Sequence, residues 1–248
     1  MLKIFLIGIG TGNPEHLTLE GVRTIKKMDL ILLPRKNNEK KELFYIREHI
    51  CKSIIKEKKT VIKEYNVPER SSNLNYKKSV SSWHQKISEN IRKVIQETRK
   101  DNNYKLGFLI WGDPGLYDST LRIISKIKIK HKFKIISGIS SIQSLTSAHS
   151  ISLNEIGESV LITTGRKLKK KMFDNNQNVI VFLDAKKSFR ILNPLKYYIW
   201  WGAYLGMKKQ ILVKGRLNDV YKEIISQRKK AKNINGWIMD TYLLKKIK

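Results

Sequence analysis

Short apolar runs alternate along the chain with stretches in which apolar residues recur every three or four positions. The runs at residues 3–9, 29–33, 60–64, 105–111 and 133–137 read as strands, several of them apolar enough to be buried on both faces. Between them the spacing predicts helices. The helix over 17–28 carries Leu19, Val22, Ile25 and Met28 on one stripe. Shorter helices follow over 41–49, 119–126 and 141–149. A long helix over 76–99 repeats Val80, Trp83, Ile87, Ile91, Val94 and Ile95 at helical intervals. Pro34 closes the second strand, and 68–75 is a polar loop. After a break near 152–159 come strands at 160–163, 179–183, 211–213 and 237–244 and a helix over 217–231. This alternation is α/β, in two domains at residues 1–155 and 156–248.

Composition narrows the class. A hydrophobic content of 41% over 248 residues excludes general disorder, and no apolar run reaches a membrane span. The single cysteine, Cys51, excludes a disulfide framework and a cysteine zinc cage, and no metal is expected. These traits predict a soluble cytoplasmic protein. The charge of +29 first points to nucleic acid or a polyanion. It is spread evenly, however, with +14 over residues 1–157 and +15 over 158–248. Lysines number 39 and arginines 11. Dedicated readers of phosphate and bases lean on arginine. Lysine, isoleucine and asparagine share A/T-rich codons, so genome bias is the simpler cause and nucleic acid is not the expected partner.

Chemistry concentrates in three loops that each follow a strand. The first, Gly8-Ile9-Gly10-Thr11-Gly12-Asn13-Pro14, lets backbone approach a ligand. Its spacing departs from a dinucleotide fingerprint: the third glycine comes one residue early, and no acidic residue ends the second strand. The second loop, Gly112-Asp113-Pro114-Gly115-Leu116-Tyr117-Asp118, places a carboxylate in a rigid turn. Asp113 is suited to receive a ligand amine or ribose, or to close an Asx turn. The third is Ser137-Gly138-Ile139-Ser140-Ser141. Three small-residue loops at one sheet edge are more specific than any one of them.

Together these loops resemble the tetrapyrrole (corrin and porphyrin) methyltransferase family. The supporting stretches are IGIGTGNPEHLTL (7–19), WGDPGLYDSTLRI (111–123), ITTGR (162–166), IWWGAYLG (199–206), VKGRL (213–217) and GWIMDTYLL (236–244). Thr11 and Ser137 stand where the family usually has proline, and Arg35-Lys36-Asn37 replaces an acidic-lysine-glycine run. The resemblance implies two α/β domains with a cleft between them for S-adenosylmethionine, in a homodimer. The reaction it implies is methylation of precorrin-5 at C-1 in aerobic cobalamin synthesis, releasing acetate and precorrin-6A. The same fold also serves other precorrin positions and RNA, and a basic nucleic-acid-binding protein is the reading outside the enzymes.

By position, the resemblance assigns the cofactor to Thr11, Gly112, Asp113, Tyr117, Ser140 and Ser141, and to Leu183, Asp184, Ala203 and Tyr204 in the second domain. Releasing acetate needs water and a base. Asp118, His16 and His84 are candidates, with Tyr117 as proton donor. Asp118 also suits a helix cap, and His84 suits packing. A tetrapyrrole polycarboxylate calls for arginine forks, here Arg122, Arg166 and Arg216. One of the adjacent pair Trp200 and Trp201 can face a macrocycle, and Trp201 is the one expected to do so.

Overall fold

The computed structural model describes residues 1–36, 41–55, 60–70, 76–99, 103–173 and 178–247; Asn37 and most of the 68–75 loop lie outside them. The chain divides into two compact units, Met1–Ser140 and Ser141–Lys248.

The first unit contains β1 (Leu2–Gly8), α1 (Leu19–Ile25), β2 (Leu30–Arg35), α2 (Lys41–Ile54), β3 (Val61–Asn66), α3 (Tyr76–Thr98), β4 (Lys105–Ile110), α4 (Thr120–Ile124) and β5 (His131–Ile136). Its five strands form a parallel sheet in the order β3-β2-β4-β1-β5. β1 shows why its sequence is apolar throughout. Leu2, Ile4 and Leu6 pack with Ile87, Ile91 and Ile95 of α3 and with Ile123 and Ile124 of α4. On the other face Ile7 joins Ile25 of α1, Ile50 and Cys51 of α2 and Met28. A strand covered on both faces loses the alternation of a half-exposed one.

Three expectations change here. Leu19 is 76% exposed, and the buried positions of α1 are Gly21 and Ile25, because the helix is two turns long and Leu19 only opens it. Pro34 does not end β2. Pairing with β4 stops at Leu32, so Pro34 sits where the strand has a partner on one side alone, and a missing N–H is tolerated. α2 runs five residues past the predicted end, to Ile54.

The second unit contains α5 (Ser141–His149), β6 (Val160–Thr164), β7 (Asn178–Phe182), β8 (Tyr197–Ala203), β9 (Ile211–Arg216), α6 (Leu217–Asn235) and β10 (Asp240–Lys246). Its sheet order is β6-β7-β10-β8-β9. β6 and β7 are parallel, while β10 runs against both β7 and β8, and β9 against β8. β8 is absent from the predicted elements. α5 packs on β8 and β10, so it belongs with this unit, and the division falls at Ser140/Ser141, before the break read near 152–159. α6 ends at Gly236, whose φ of 71° lets its N–H reach Lys232 O at 2.8 Å. Trp237 belongs to this turn and not to the last strand. Among the described residues no helix is long and apolar enough to cross a membrane.

Candidate functional site

A parallel sheet puts the ends of all its strands at one edge, and the three loops meet there in the first unit. Gly10 and Gly112 form an isolated antiparallel bridge, with Gly112 N donating to Gly10 O at 2.7 Å. Gly8 and Gly138 touch backbone to backbone: a Cβ on Gly138 would lie 2.7 Å from Gly8 Cα, and one on Gly8 would lie 2.6 Å from Gly138 N. Only glycine permits that approach.

Asp113 ties the second loop to the third. Its Oδ2 accepts the Gly138 N–H at 2.9 Å and its Oδ1 accepts the Gly115 N–H at 2.7 Å. Both oxygens are thus engaged by backbone, and the Asx turn is the role the geometry carries. Tyr117, 45% exposed, holds φ at 52°, a strained region for a side chain. Partial burial raises the pKa of its phenol, which therefore stays protonated at neutral pH. Asp118 Oδ1 accepts the Thr120 N–H at 2.6 Å, an Asx turn one residue ahead of Ser119, the α4 N-cap. Arg122 is exposed and returns a bond to Asp118 O at 3.2 Å.

In the first loop Thr11 is buried, and its Oγ1 lies 3.3 Å from His16 Nδ1. His16 is half-buried. Desolvation lowers its pKa against the opposing pull of Glu15. Thr18 caps α1 through Gly21 N at 3.0 Å. His84 is buried in α3 with Nε2 unpaired, and burial, Arg122 and Lys126 all keep it neutral. Packing is its role.

The second unit gathers its candidates at one sheet edge too. β6, β7 and β8 run the same way, so Arg166, Leu183, Asp184, Ala203 and Tyr204 lie at or just beyond their carboxyl ends. Leu183 and Tyr204 hold φ at 52° and 51°. Leu183 is exposed. Ala203 and Tyr204 are buried, and the Tyr204 hydroxyl donates to Trp237 O at 2.5 Å. Asp184 is buried, and its Oδ2 accepts Ser188 N at 2.5 Å and the Tyr242 hydroxyl at 2.7 Å. It builds the domain. Ser140, in the first unit, is buried, and the second unit's Ser141 accepts a bond from Thr241 Oγ1 at 3.0 Å.

Two further substrate candidates have different settings. Arg216 pairs in register with Tyr198, at the opposite end of β8 from Ala203, about 17 Å away at the rise of a strand. Trp201 is fully buried, and its indole N–H donates to Asp240 Oδ2 at 2.7 Å. The same oxygen takes Arg228, and burial pushes the Asp240 carboxyl up to about 6 against that cation's pull. No face of Trp201 is open. Trp200, on the other side of β8, is half-exposed beside Tyr198, with ring centroids 4.4 Å apart.

Sequence reasoning missed one feature of the first unit. Beyond β2 and β4 opens a recess of about 190 Å³, lined by Arg47, Tyr65, Trp83, Trp111 and Asp118 among others. These five residues are scattered over three elements and a loop, and only the order β3-β2-β4 collects them.

Residues 3–221 match the family described as Tetrapyrrole (Corrin/Porphyrin) Methylases. A protein named precorrin-6A synthase [deacetylating], from Sinorhizobium sp, is 38% identical over 99% of this chain and 96% of its own length. The crystal structure of a putative cobalamin synthesis related protein (CobF) from Corynebacterium diphtheriae is 33% identical, with a TM-score of 0.84 over the whole of both chains. Uroporphyrin-III C-methyl transferase from Thermus thermophilus, solved with S-adenosyl homocysteine, shares the fold at 16% identity, with a TM-score of 0.60 over 98% of this chain and 92% of that one. The glycine-locked loops and these full-length likenesses lead to one conclusion: the chain belongs to the tetrapyrrole (corrin/porphyrin) methylases.

Proposed function

We propose that this chain is an S-adenosylmethionine-dependent methyltransferase of aerobic cobalamin synthesis that methylates precorrin-5 at C-1 and releases acetate, giving precorrin-6A. The observation that carries this reading is the 38% identity to a deacetylating precorrin-6A synthase across nearly the whole of both chains.

The residues suit the cofactor. In the first domain, the loops meet through glycine, and Gly112, at a φ of 69°, sits where they join, with room for a Cβ at ordinary contact distance from Ser140. Thr11, Tyr117 and Ser140 belong to the same loops. In the second domain the exposed, left-handed Leu183 presents backbone at the sheet edge, with the buried Ala203 and Tyr204 at the end of β8. Asp113 acts on the cofactor by holding its loop. S-adenosylmethionine supplies a methyl group on a sulfonium, so the protein has only to hold a carbon nucleophile in line. Asp118 keeps Oδ2 for a proton while Thr120 holds Oδ1. Tyr117 donates, and neutral His16 accepts. Arg122 in the first domain and Arg166 in the second are the arginines we assign to a polycarboxylate macrocycle, with half-exposed Trp200 as a ring that can pack on it. We read the protein as a cytoplasmic homodimer, which light scattering on the purified chain tests.

Incubation with precorrin-5 and labelled methyl donor decides the reading. One labelled macrocycle and one acetate per turnover is the expected result. Label without acetate overturns the ring position, label in RNA overturns the substrate, and no binding of S-adenosylhomocysteine overturns the enzyme.

A further inference from the structure

The recess at the carboxyl ends of β2 and β4 holds a cation that no carboxylate among the described residues touches. Arg47 reaches into it from α2. Its Nε donates to Leu109 O at 3.0 Å, one Nη donates to Leu43 O at 2.9 Å, and the guanidinium lies 5.7 Å from the Trp111 ring. Those acceptors are neutral carbonyls. Among the described residues no carboxylate lies within 4.0 Å of the guanidinium nitrogens. Asp118 lies within electrostatic reach, but its Oδ1 is committed to the head of α4. Surrounding protein pulls the Arg47 pKa down, yet a guanidinium stays charged.

Tyr65 shares the recess. Its buried ring meets Phe108 edge-on at 6.0 Å, and its hydroxyl has no hydrogen-bond partner among the described residues. A desolvated cation that no carboxylate touches directly and a hydroxyl without a partner are both costly. One small anionic acceptor meeting both groups would offset both costs. Lys36, 5.9 Å over the Trp83 ring, adds a second positive charge to the lining and outweighs Asp118.

Size limits the occupant. A cavity of about 150 Å³ takes one benzene ring. A recess of about 190 Å³ takes a few heavy atoms and excludes a macrocycle.

We propose that this recess is a carboxylate subsite, in which the Arg47 guanidinium and the Tyr65 hydroxyl together hold a two- or three-carbon carboxylate. The carboxylate is either the acetate released in the proposed reaction or an acetate or propionate arm of the substrate. The choice of source rests on the proposed function; the subsite does not.

Titration with sodium acetate and propionate against chloride at matched ionic strength tests it, read by calorimetry and by the fluorescence of Trp83 and Trp111. Neither methyl donor nor macrocycle is needed, so a chain inactive on precorrin-5 still reports on the subsite. Saturable acetate binding that weakens about tenfold in Arg47→Gln and about fivefold in Tyr65→Phe supports the subsite with released acetate as occupant. Tyr65→Phe keeps the ring against Phe108 and decides the matter if Arg47→Gln does not fold. Silence toward free acetate, together with a macrocycle KM raised about tenfold at unchanged kcat in either variant, supports the substrate arm. Acetate binding equal to chloride binding, or indifferent to both substitutions, overturns the proposal. So does silence toward acetate with an unchanged KM or with no turnover to measure.

Discussion

The Asp113 carboxylate and the Gly138 amide meet at 2.9 Å across two loops that are far apart in sequence. Together with the Gly115 N–H on the other oxygen, this bond makes Asp113 a clasp. Asp113→Ala leaves two amides without their acceptor, and the expected loss is about 1–3 kcal/mol of stability. Affinity for S-adenosylhomocysteine should fall with it, because the Gly112 backbone is no longer held. Asp113→Asn, which keeps one carbonyl oxygen, should lose less of both. Thermal unfolding and calorimetry on the two variants check this, and unchanged affinity in Asp113→Ala would show that the clasp does not govern the cofactor loop.

Gly138→Ala probes the same junction by crowding it. Its methyl group would stand 2.7 Å from Gly8 Cα, so one backbone must move. A cost of about 1–3 kcal/mol is expected. A thermal midpoint equal to that of the parent would show that the loops yield freely.

How much of this was legible in the sequence depends on how local the signal is. The three loops could be read because each is a short run of small residues after an apolar strand. β8 escaped because Tyr-Tyr-Ile-Trp-Trp-Gly-Ala is largely buried and shows no clean alternation. Leu19 misled because a periodic pattern does not say where a helix begins. Trp200 and Trp201 could be told to face opposite ways, but only the position of Asp240 shows which is inside. Arg47 and Tyr65 gave no sign at all. One lies in a helix of mixed polarity and the other at a strand end, and the crossovers of the sheet bring them together.

Acid should weaken the fold through its histidines. His16, His84 and His149 all have pKa values lowered from 6.5, in each case chiefly by burial. Above about 6.5 both folded and unfolded forms are neutral and this contribution is intact. As the pH falls below that value the unfolded chain takes up protons that the folded chain refuses, so stability drops until the lowered folded pKa is reached. Denaturant titrations across this range should show the decline, and His84→Leu should make it shallower by up to about one proton. An unaltered slope in the variant would remove His84 from the account.

Cys51 should be inert while the chain is folded. Burial first, and then the neighbouring Glu48, push its thiol up to about 12. A shift from 9.0 cuts the thiolate fraction about a thousandfold. A thiol reagent should therefore label the protein at the rate of unfolding, one equivalent per chain. Rapid labelling of the native protein would contradict the burial.

Tyr117, Leu183 and Tyr204 hold left-handed backbone at the edges of the two sheets. Each conformation costs of order 1 kcal/mol, which a glycine would recover. Selection for heat resistance alone would therefore drift toward glycine at the exposed Tyr117 and Leu183, whereas at Tyr204 the buried ring and its bond to Trp237 O outweigh that gain. The chain would then gain robustness while surrendering the preset shape of its loops. On the proposed function, Tyr117 and Leu183 are the positions at which endurance would be traded against readiness to bind.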